Sequence, residues 1–356
     1  MSQASTIAFS VRAIVLAGVL ALAAGPWLFD ASQMSLLTDF FCLLVLALMW
    51  NLLAGYADIL TVGQHGFVGV GAYALYAFTA LARLDPYVSL ILAGLVTLVI
   101  AVPAMALIFR LRTIYLAVGT WVIAEVLMLV AGKLPGMGQG SGASVPLFVA
   151  RSLGALPGTR FATIYWLAFG LCVIAFATTY LLVRSRIGLG LTAMRDNEEA
   201  AGAMGVNLHR ARILCFLLTA PFLGLTGAII TLQKLRISPA ASFSTNEWTV
   251  FVVFNVVIGG IGSFEGPVIG TILYFVLREY LADLGAWYLI ILGILSIVAI
   301  IIEPRGLWGL MRRFLKADIV SVSHHASREF PQSASASNFR ATVDQTPIEE
   351  DRRRAS

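Results

Sequence analysis

The sequence predicts an all-α integral membrane protein of about eight to ten transmembrane helices, some interrupted or re-entrant, with both termini cytoplasmic. Three observations predict it. The 356 residues are 59% hydrophobic and only 12% charged, with a mean hydropathy of +0.88, whereas a soluble domain carries about 25% charge. Apolar runs of about 18 residues or more, long enough to cross a bilayer, recur along the chain. The basic residues are spread unevenly over the connecting segments, as the positive-inside rule requires.

Candidate spans fall near 11–29, 36–54, 60–82, 87–109, 113–132, 162–183, 213–233, 248–262, 267–282 and 285–302. The one at 248–262 is short, and the one at 60–82 is rich in glycine. With the N-terminus inside and alternation thereafter, the inside segments hold Arg12, Arg110, Arg112, Arg184, Arg186, Arg195, Arg210, Arg212, Arg305, Arg312, Arg313 and Lys316. The outside segments hold Arg83, Lys133, Arg151, Arg160, Lys234, Arg236 and Arg278. The opposite orientation reverses that excess. "ALAAG" at residues 21–25 offers small residues to a signal peptidase. The apolar run there is long and its basic leader is Arg12 alone, so the first span is expected to be retained.

Three hydrophilic regions separate the spans. Residues 133–161 form an outside loop rich in Gly, Ser and Pro, and residues 184–212 form the most charged inside loop. Residues 317–356 hold five arginines and six carboxylates, which leaves residues 1–316 with a net +6. That tail cannot bury a core and is expected to be disordered, with His324 and His325 solvated. Cys42, Cys172 and Cys215 all lie in apolar runs without CxxC spacing. They read as packing residues rather than a disulfide or metal set. The basic residues are scattered singly, which argues against a nucleic-acid surface.

"TVGQHGFVGVGAY", Thr61 to Tyr73, places four glycines and the polar pair Gln64 and His65 in a membrane segment. On one straight helix at about 100° per residue, Gly66, Gly69 and Gly71 lie at about −60°, −120° and +80° from Gly63. A simple small-residue packing seam keeps its glycines in one stripe. The wide spread points to an interrupted element lining a path, or to a helix crowded on all sides. A second glycine cluster, "IGGIGSFEGPVIG", runs from Ile258 to Gly270. Pro267 suits the first turn of a new helix, so Ser263–Gly266 reads as a turn, and Gly266 and Gly270 share a close-packing face. Glu125 lies about 18 Å from Thr113 along a helix, near mid-membrane. A charge there costs several kcal/mol unless paired or hydrated; it is either a polar contact on a path or a protonated carboxyl bonded between helices. Asn255 and Gln233 are lesser polar candidates, and Asp39 reads as interfacial.

The inside loop reads "RSRIGLGLTAMRDNEEAAGAMGVNLHRAR". Asp196 followed three residues later by Glu199 is an N-cap signature. Ala200, Ala201, Ala203 and Met204 continue a helix of about two turns, and Gly205 is placed to end it. Such a helix is suited to docking in a groove, or is an ordinary alanine-rich loop helix. "EAAGAMG", Glu199 to Gly205, resembles the EAA-xxx-G core of ABC-importer permeases. The segment from Ser185 to Ile229 resembles the branched-chain amino acid permease family, in particular its M-type subunit. The Ile-x-Leu-Pro that continues the general motif is replaced here by Cys215, Leu217, Leu218 and, three residues on, Pro221, as is usual in this branch. Further blocks resemble the same family. They are Gly63, Gln64, Phe67, Gly69, Gly71, Ala72 and Tyr73; Tyr115, Leu116, Ala117, Thr120 and Glu125; and the GGxGS-x-x-GP-x-x-G block from Gly259. The resemblance covers roughly residues 36–312.

The resemblance implies a transmembrane permease domain over 1–316, with residues 184–212 as its cytoplasmic coupling loop. It implies ATPase coupling through Arg195, Asp196, Glu198, Glu199, Ala200, Ala201 and Gly205. The candidate translocation path is Gln64, His65, Gly69, Gly71, Tyr73, Tyr115, Thr120, Glu125, Asn255, Gly259 and Gly260. No GxxxxGK[ST] sequence occurs, so the chain is expected to hold no cofactor and to leave ATP to a partner. The implied partners are an H-type permease, two cytoplasmic ABC ATPases, a periplasmic substrate-binding protein that meets the outside loop, and lipid. The implied location is the bacterial inner membrane, and the implied cargo is branched-chain or other hydrophobic amino acids, with urea, short amides or aromatic acids as alternatives. An ion-coupled transporter needs paired intramembrane charges, and Glu125 has no evident charged partner in the sequence. An intramembrane enzyme is disfavoured, because only His65 of the four histidines is in the membrane and no catalytic or metal set can be placed.

Overall fold

In the computed structural model, residues 18–19, 21–111, 113–154, 156–204, 207–281, 287–302 and 306–315 are described. Helices begin where the chain offers a cap. Helix α1, Ala31–Asn51, starts at Asp30, whose backbone N–H donates to the Gln33 side chain at 3.1 Å in a capping box. It runs on into a π-helical turn, Leu52–Tyr56. After the non-helical residues 57–63, α2 covers Gln64–Tyr76 and widens into a second π turn, Ala77–Leu81. Asp85 and Pro86 start α3, Pro86–Ile108, with the Asp85 carboxylate accepting from the Tyr87 N–H at 2.9 Å. A short connection leads to α4, Thr113–Lys133.

The next connection carries strand β1, Ala143–Ser144, and helix α5, Leu147–Leu153, before α6, Pro157–Arg184. The Ser185 hydroxyl caps α7, Arg186–Asp196, and the short α8, Glu198–Ala203, follows. Asn207 caps α9, Leu208–Lys234, which ends on left-handed Leu235 at φ 51°. Strand β2, Arg236–Ile237, pairs antiparallel with β1 and ties the two connections together. A third π turn, Asn246–Val250, opens α10, Phe251–Gly259; α11, Gly266–Leu281, α12, Trp287–Ile302, and α13, Gly306–Leu315, complete the order.

Among the described residues, five helices are long and apolar enough to cross a membrane: Ala31–Tyr56, Pro86–Ile108, Tyr115–Lys133, Gly158–Arg184 and Leu208–Lys234. Helices occupy the expected positions from 36–54 to 285–302; beside those five, α2 and α10, each with a π turn, and α11 and α12 are shorter. The expected span at 11–29 lies largely outside the described residues, as does the tail at 317–356. Helices α1 and α9 are central, with 78% and 67% of their membrane windows buried, while α4 is peripheral at 22%. Helix α2 packs against α9, α3 and α4, and α1 against α6 and α9.

Two local expectations change. The inside loop holds two helices rather than one: α7 runs through Asp196, and Asn197 breaks the chain before α8. The Ala201 N–H donates to the Asn197 carbonyl at 3.0 Å, so Asn197 and not Asp196 precedes the EAA helix. The Thr61–Tyr73 stretch is interrupted only at its start, Thr61–Gly63, and the helix runs unbroken from Gln64 through Gly66, Gly69 and Gly71.

Within that helix the glycines serve close approach on several sides. A Cβ on Gly63 would meet the Thr120 carbonyl of α4, and one on Gly66 would lie 2.7 Å from the Ala124 Cβ. One on Gly69 would enter the Phe243 ring, and one on Gly71 the Gly224 carbonyl of α9. The angular spread seen in the sequence is therefore a record of three neighbours. We predict that Gly71→Ala destabilises the protein by about 1–3 kcal/mol through overpacking. Gly170→Ala, at a helical site with no atom within 4 Å of the added Cβ, raises helix propensity by about 1 kcal/mol. Thermal unfolding in detergent should lower the midpoint for the first and leave the second equal or higher.

Candidate functional site

The non-helical backbone before α2 is pinned from two sides. The Trp50 indole N–H of α1 donates to the Thr61 carbonyl at 2.8 Å, and the Val62 N–H donates to the Thr120 hydroxyl of α4 at 3.1 Å. This fixes the first two residues of α2, Gln64 and His65, inside the bundle, where both are buried. The Gln64 amide donates to the Trp248 carbonyl. The His65 Nδ1 lies 3.0 Å from the Thr249 hydroxyl. On its other edge the His65 Nε2 lies 3.9 Å from the Glu125 carboxylate, with the Thr245 hydroxyl at 3.5 Å. The Trp121 indole N–H donates to the same Glu125 oxygen at 3.0 Å.

Glu125 therefore has a titratable partner, against the sequence reading that gave it none. The pair is asymmetric: the His65 side chain is 1% exposed and that of Glu125 is 36% exposed. The π turn Asn246–Val250 makes the meeting possible. Its widened backbone presents the Trp248 carbonyl to Gln64 and the Thr249 side chain to His65. Such π insertions are frequent at functional sites.

Among the other path candidates, Thr120 and Glu125 join this cluster. Tyr73 lies further along α2, its ring 5.7 Å from Phe243, on a largely apolar cavity of 250 Å³ shared with Val70, Ile100 and Leu127. Gly69 and Gly71 act as contact points for Phe243 and α9. Tyr115 is exposed on α4. Asn255 is fully buried on α10, and its side-chain amide has no hydrogen-bond partner among the described residues. Gly259 and Gly260 stand apart from Gln64 and His65, at the turn that joins α10 to α11. There a Cβ on Gly259 would meet the Gly266 carbonyl, and Gly306 packs on Gly260.

The inside loop also reaches that turn. The Arg195 guanidinium of α7 donates to the Gly262 carbonyl at 3.4 Å. Asn51, at the end of α1, accepts from the Gly262 N–H at 2.8 Å and donates to the Ser263 carbonyl at 2.8 Å. Arg212 of α9 adds an ion pair to Asp58 at 3.9 Å. In α8, Ala201 is buried while Gly202, Ala203 and Met204 are exposed. Asp196 belongs to α7, and Glu198, Glu199 and Ala200 to α8; Gly205 lies outside the described residues. Asn51, Trp121, Trp248 and Thr249 escaped the sequence reading. Asn51 left one signal, a lone amide closing the apolar run from Phe40 to Trp50.

A family model described as "Branched-chain amino acid transport system / permease component" matches residues 32–300. Among curated proteins, the high-affinity branched-chain amino acid transport system permease protein LivM of Salmonella typhimurium is 27% identical over 316 residues, covering 82% of this chain and 74% of that protein. LivM of Escherichia coli is 28% identical over 327 residues, covering 85% and 76%. The probable LivH permease of Methanocaldococcus jannaschii is 24% identical over 301 residues, covering 77% and 90%. No solved structure matches the chain.

The Asn51 contacts yield a local test. Asn51→Ala removes two hydrogen bonds of about 1 kcal/mol each and leaves the Gly262 N–H unpaired. We predict that amide exchange in the 258–266 segment accelerates by about tenfold or more. Unchanged protection by hydrogen–deuterium exchange mass spectrometry would show that Asn51 does not hold the turn.

Proposed function

The chain belongs to the permease-component family of branched-chain amino acid transport systems, and on that premise we propose that it is one membrane-spanning subunit of an ATP-driven importer. The proposed cargo is branched-chain or other hydrophobic amino acids. In this reading the chain sits in a bacterial inner membrane beside an H-type permease. Two cytoplasmic ABC ATPases supply the ATP hydrolysis, and a periplasmic binding protein delivers substrate.

The observation that carries the reading is the EAA helix α8. It is a short helix with an exposed, small-residue edge, preceded by α7, whose Arg195 grips the Gly262 turn of the bundle. A push on α7 and α8 from an ATPase is thereby delivered to α1, α10 and α11 at one point. The path is proposed to run along Gln64, His65, Thr120 and Glu125, with Tyr73 and Asn255 deeper in the bundle. Supporting this is the exposed stripe of α4 that carries Tyr115, Val118, Val122 and Glu125. A carboxyl on a lipid-facing surface costs several kcal/mol. In this reading the stripe faces the second permease and the water-filled space between the two subunits.

Vesicles holding this chain with its candidate partners test the whole reading. ATP-dependent uptake of L-leucine is expected; uptake that ignores ATP and follows a proton or sodium gradient would overturn it. Coupling energies between sites of about 1–3 kcal/mol correspond to about 5–150-fold, so Glu199→Lys and Arg195→Ala should each lower coupled ATPase activity and uptake within that range. Glu125→Leu separates the two environments of α4. It should suppress uptake although it inserts more readily into lipid, and full uptake by that variant would remove Glu125 from the path.

A further inference from the structure

A second polar site lies at the end of the bundle opposite α7 and α8. Helix α9 spans about 40 Å, and its last residue, Lys234, borders a cleft of 110 Å³ between α1, the π turn at 246–250 and α11. Four charged side chains of both signs line it: Asp39, Lys234, Glu247 and Arg278. Lys234 and Glu247 are 3.9 Å apart and both about half exposed, a geometry that contributes little to stability. Among the described residues Asp39 and Arg278 form no ion pair with each other, although Asp39 is half-buried and both face the same space. The four charges do not close into two tight pairs: Lys234 and Glu247 meet at 3.9 Å, and Asp39 and Arg278 line the same cavity without pairing with each other. Charged side chains of both signs that line one cavity at the end of a membrane bundle can contact a ligand that carries both charges.

Beside the charged groups, Leu43, one turn from Asp39 on α1, Phe275, one turn from Arg278 on α11, and Phe251 give the cleft apolar lining. The floor is Trp248, the residue whose carbonyl holds Gln64. We infer that this cleft is a low-affinity entry site for a zwitterionic α-amino acid with an aliphatic side chain. Asp39 takes the ammonium group, Arg278 takes the carboxylate as a planar fork, and the side chain lies on Leu43 and Phe251. Lys234, 5.5 Å above the Trp248 ring, and Glu247 close the mouth. The inference rests on the proposed import of amino acids and specifies where this subunit first meets them.

The test uses the permease pair with its ATPases in nanodiscs, without the binding protein, and radiolabelled L-leucine as probe. Saturable binding is expected. Unlabelled L-leucine should compete, whereas 4-methyl-2-hydroxypentanoate, which lacks the ammonium, and leucinamide, which lacks the carboxylate, should compete about tenfold less well or worse. Asp39→Asn and Arg278→Gln should each weaken binding by a similar factor. The analogue comparison needs no variant and so does not depend on how the variants fold. Absence of saturable binding, equal competition by both analogues, or unaltered binding by both variants overturns the site. Uptake of L-leucine by the complete importer is measured alongside. Uptake without binding overturns the entry site alone, and absence of both overturns the import of amino acids as well.

Discussion

The structure depends on one constraint, the approach of the α2 backbone to the backbones around it. A Cβ on Gly227 of α9 would collide with the Val68 carbonyl, and one on Gly71 with the Gly224 carbonyl. In lipid there is little hydrophobic drive for helices to associate, so packing contacts and interhelical hydrogen bonds must supply it. Four bare backbone positions on α2 and its lead-in let three neighbours close on it at once. All 13 residues of α2 are buried as a result. Its N-terminal residues then have no access to lipid, and Gln64 and His65 become interior groups that must find partners. The partners come from a segment far away in sequence, the π turn at 246–250, and from α4.

The same π turn links the two polar clusters to the face that carries α7. One side of it receives Gln64 and His65, and another side floors the charged cleft at Asp39 and Arg278. From its last residue, α10 runs nine residues, about 13.5 Å, to Gly259 and the turn gripped by Arg195 and Asn51. Along that helix the backbones of α10 and α11 approach closely. A Cβ on Gly270 of α11 would strike the Asn255 carbonyl, and one on Gly266 the Gly260 carbonyl. A displacement of the Gly262 turn thus has one short rigid element between it and His65. The ion pair between Arg212 and Asp58 brackets the other approach, the chain that climbs from the end of α1 to the start of α2.

Much of this was legible in the sequence, because membrane insertion writes long apolar runs and excludes charge from them. The span positions, the turn at Ser263–Gly266 and the close contact of Gly266 and Gly270 with α10 follow from composition and proline placement. The EAA helix was legible from its local pattern, although the break fell at Asn197, where an amide can end one helix and start the next equally well. What was not legible is pairing across the chain. Nothing local to Glu125 announces His65, which is 60 positions earlier, and nothing in "NEWTV" announces a π turn. Asp39 read as interfacial from its place near a helix end, and only the fold brings Lys234, Glu247 and Arg278 to the same cleft. The glycine angles admitted both an interrupted path and a crowded helix. The decision belongs to Thr120, Ala124, Phe243 and Gly224, which no helical wheel of residues 61–73 contains.

Three buried side chains sharpen the distinction between fold and function. Among the described residues the Gln64 Oε1, the Tyr73 hydroxyl and both side-chain amide atoms of Asn255 have no hydrogen-bond partner. Each such group costs about 1–3 kcal/mol when buried unpaired, and leucine, phenylalanine and alanine at these positions would avoid that cost. Gln64 recovers part of that cost through its amide bond to the Trp248 carbonyl, whereas among the described residues the Tyr73 hydroxyl and the Asn255 amide recover none. Gln64 sits beside His65, Tyr73 beside the cavity at Phe243, and Asn255 on the helix between the π turn and the Gly262 turn. In the proposed reading, orphan polar atoms at these places serve as walls of the translocation route. Their bonds would then be made with water, with a passing polar headgroup, or with neighbours in a second state of the bundle. A site satisfied in every conformation would hold its cargo too well, and polar atoms unpaired in one state and paired in another let the energy of the route change with the state of the bundle.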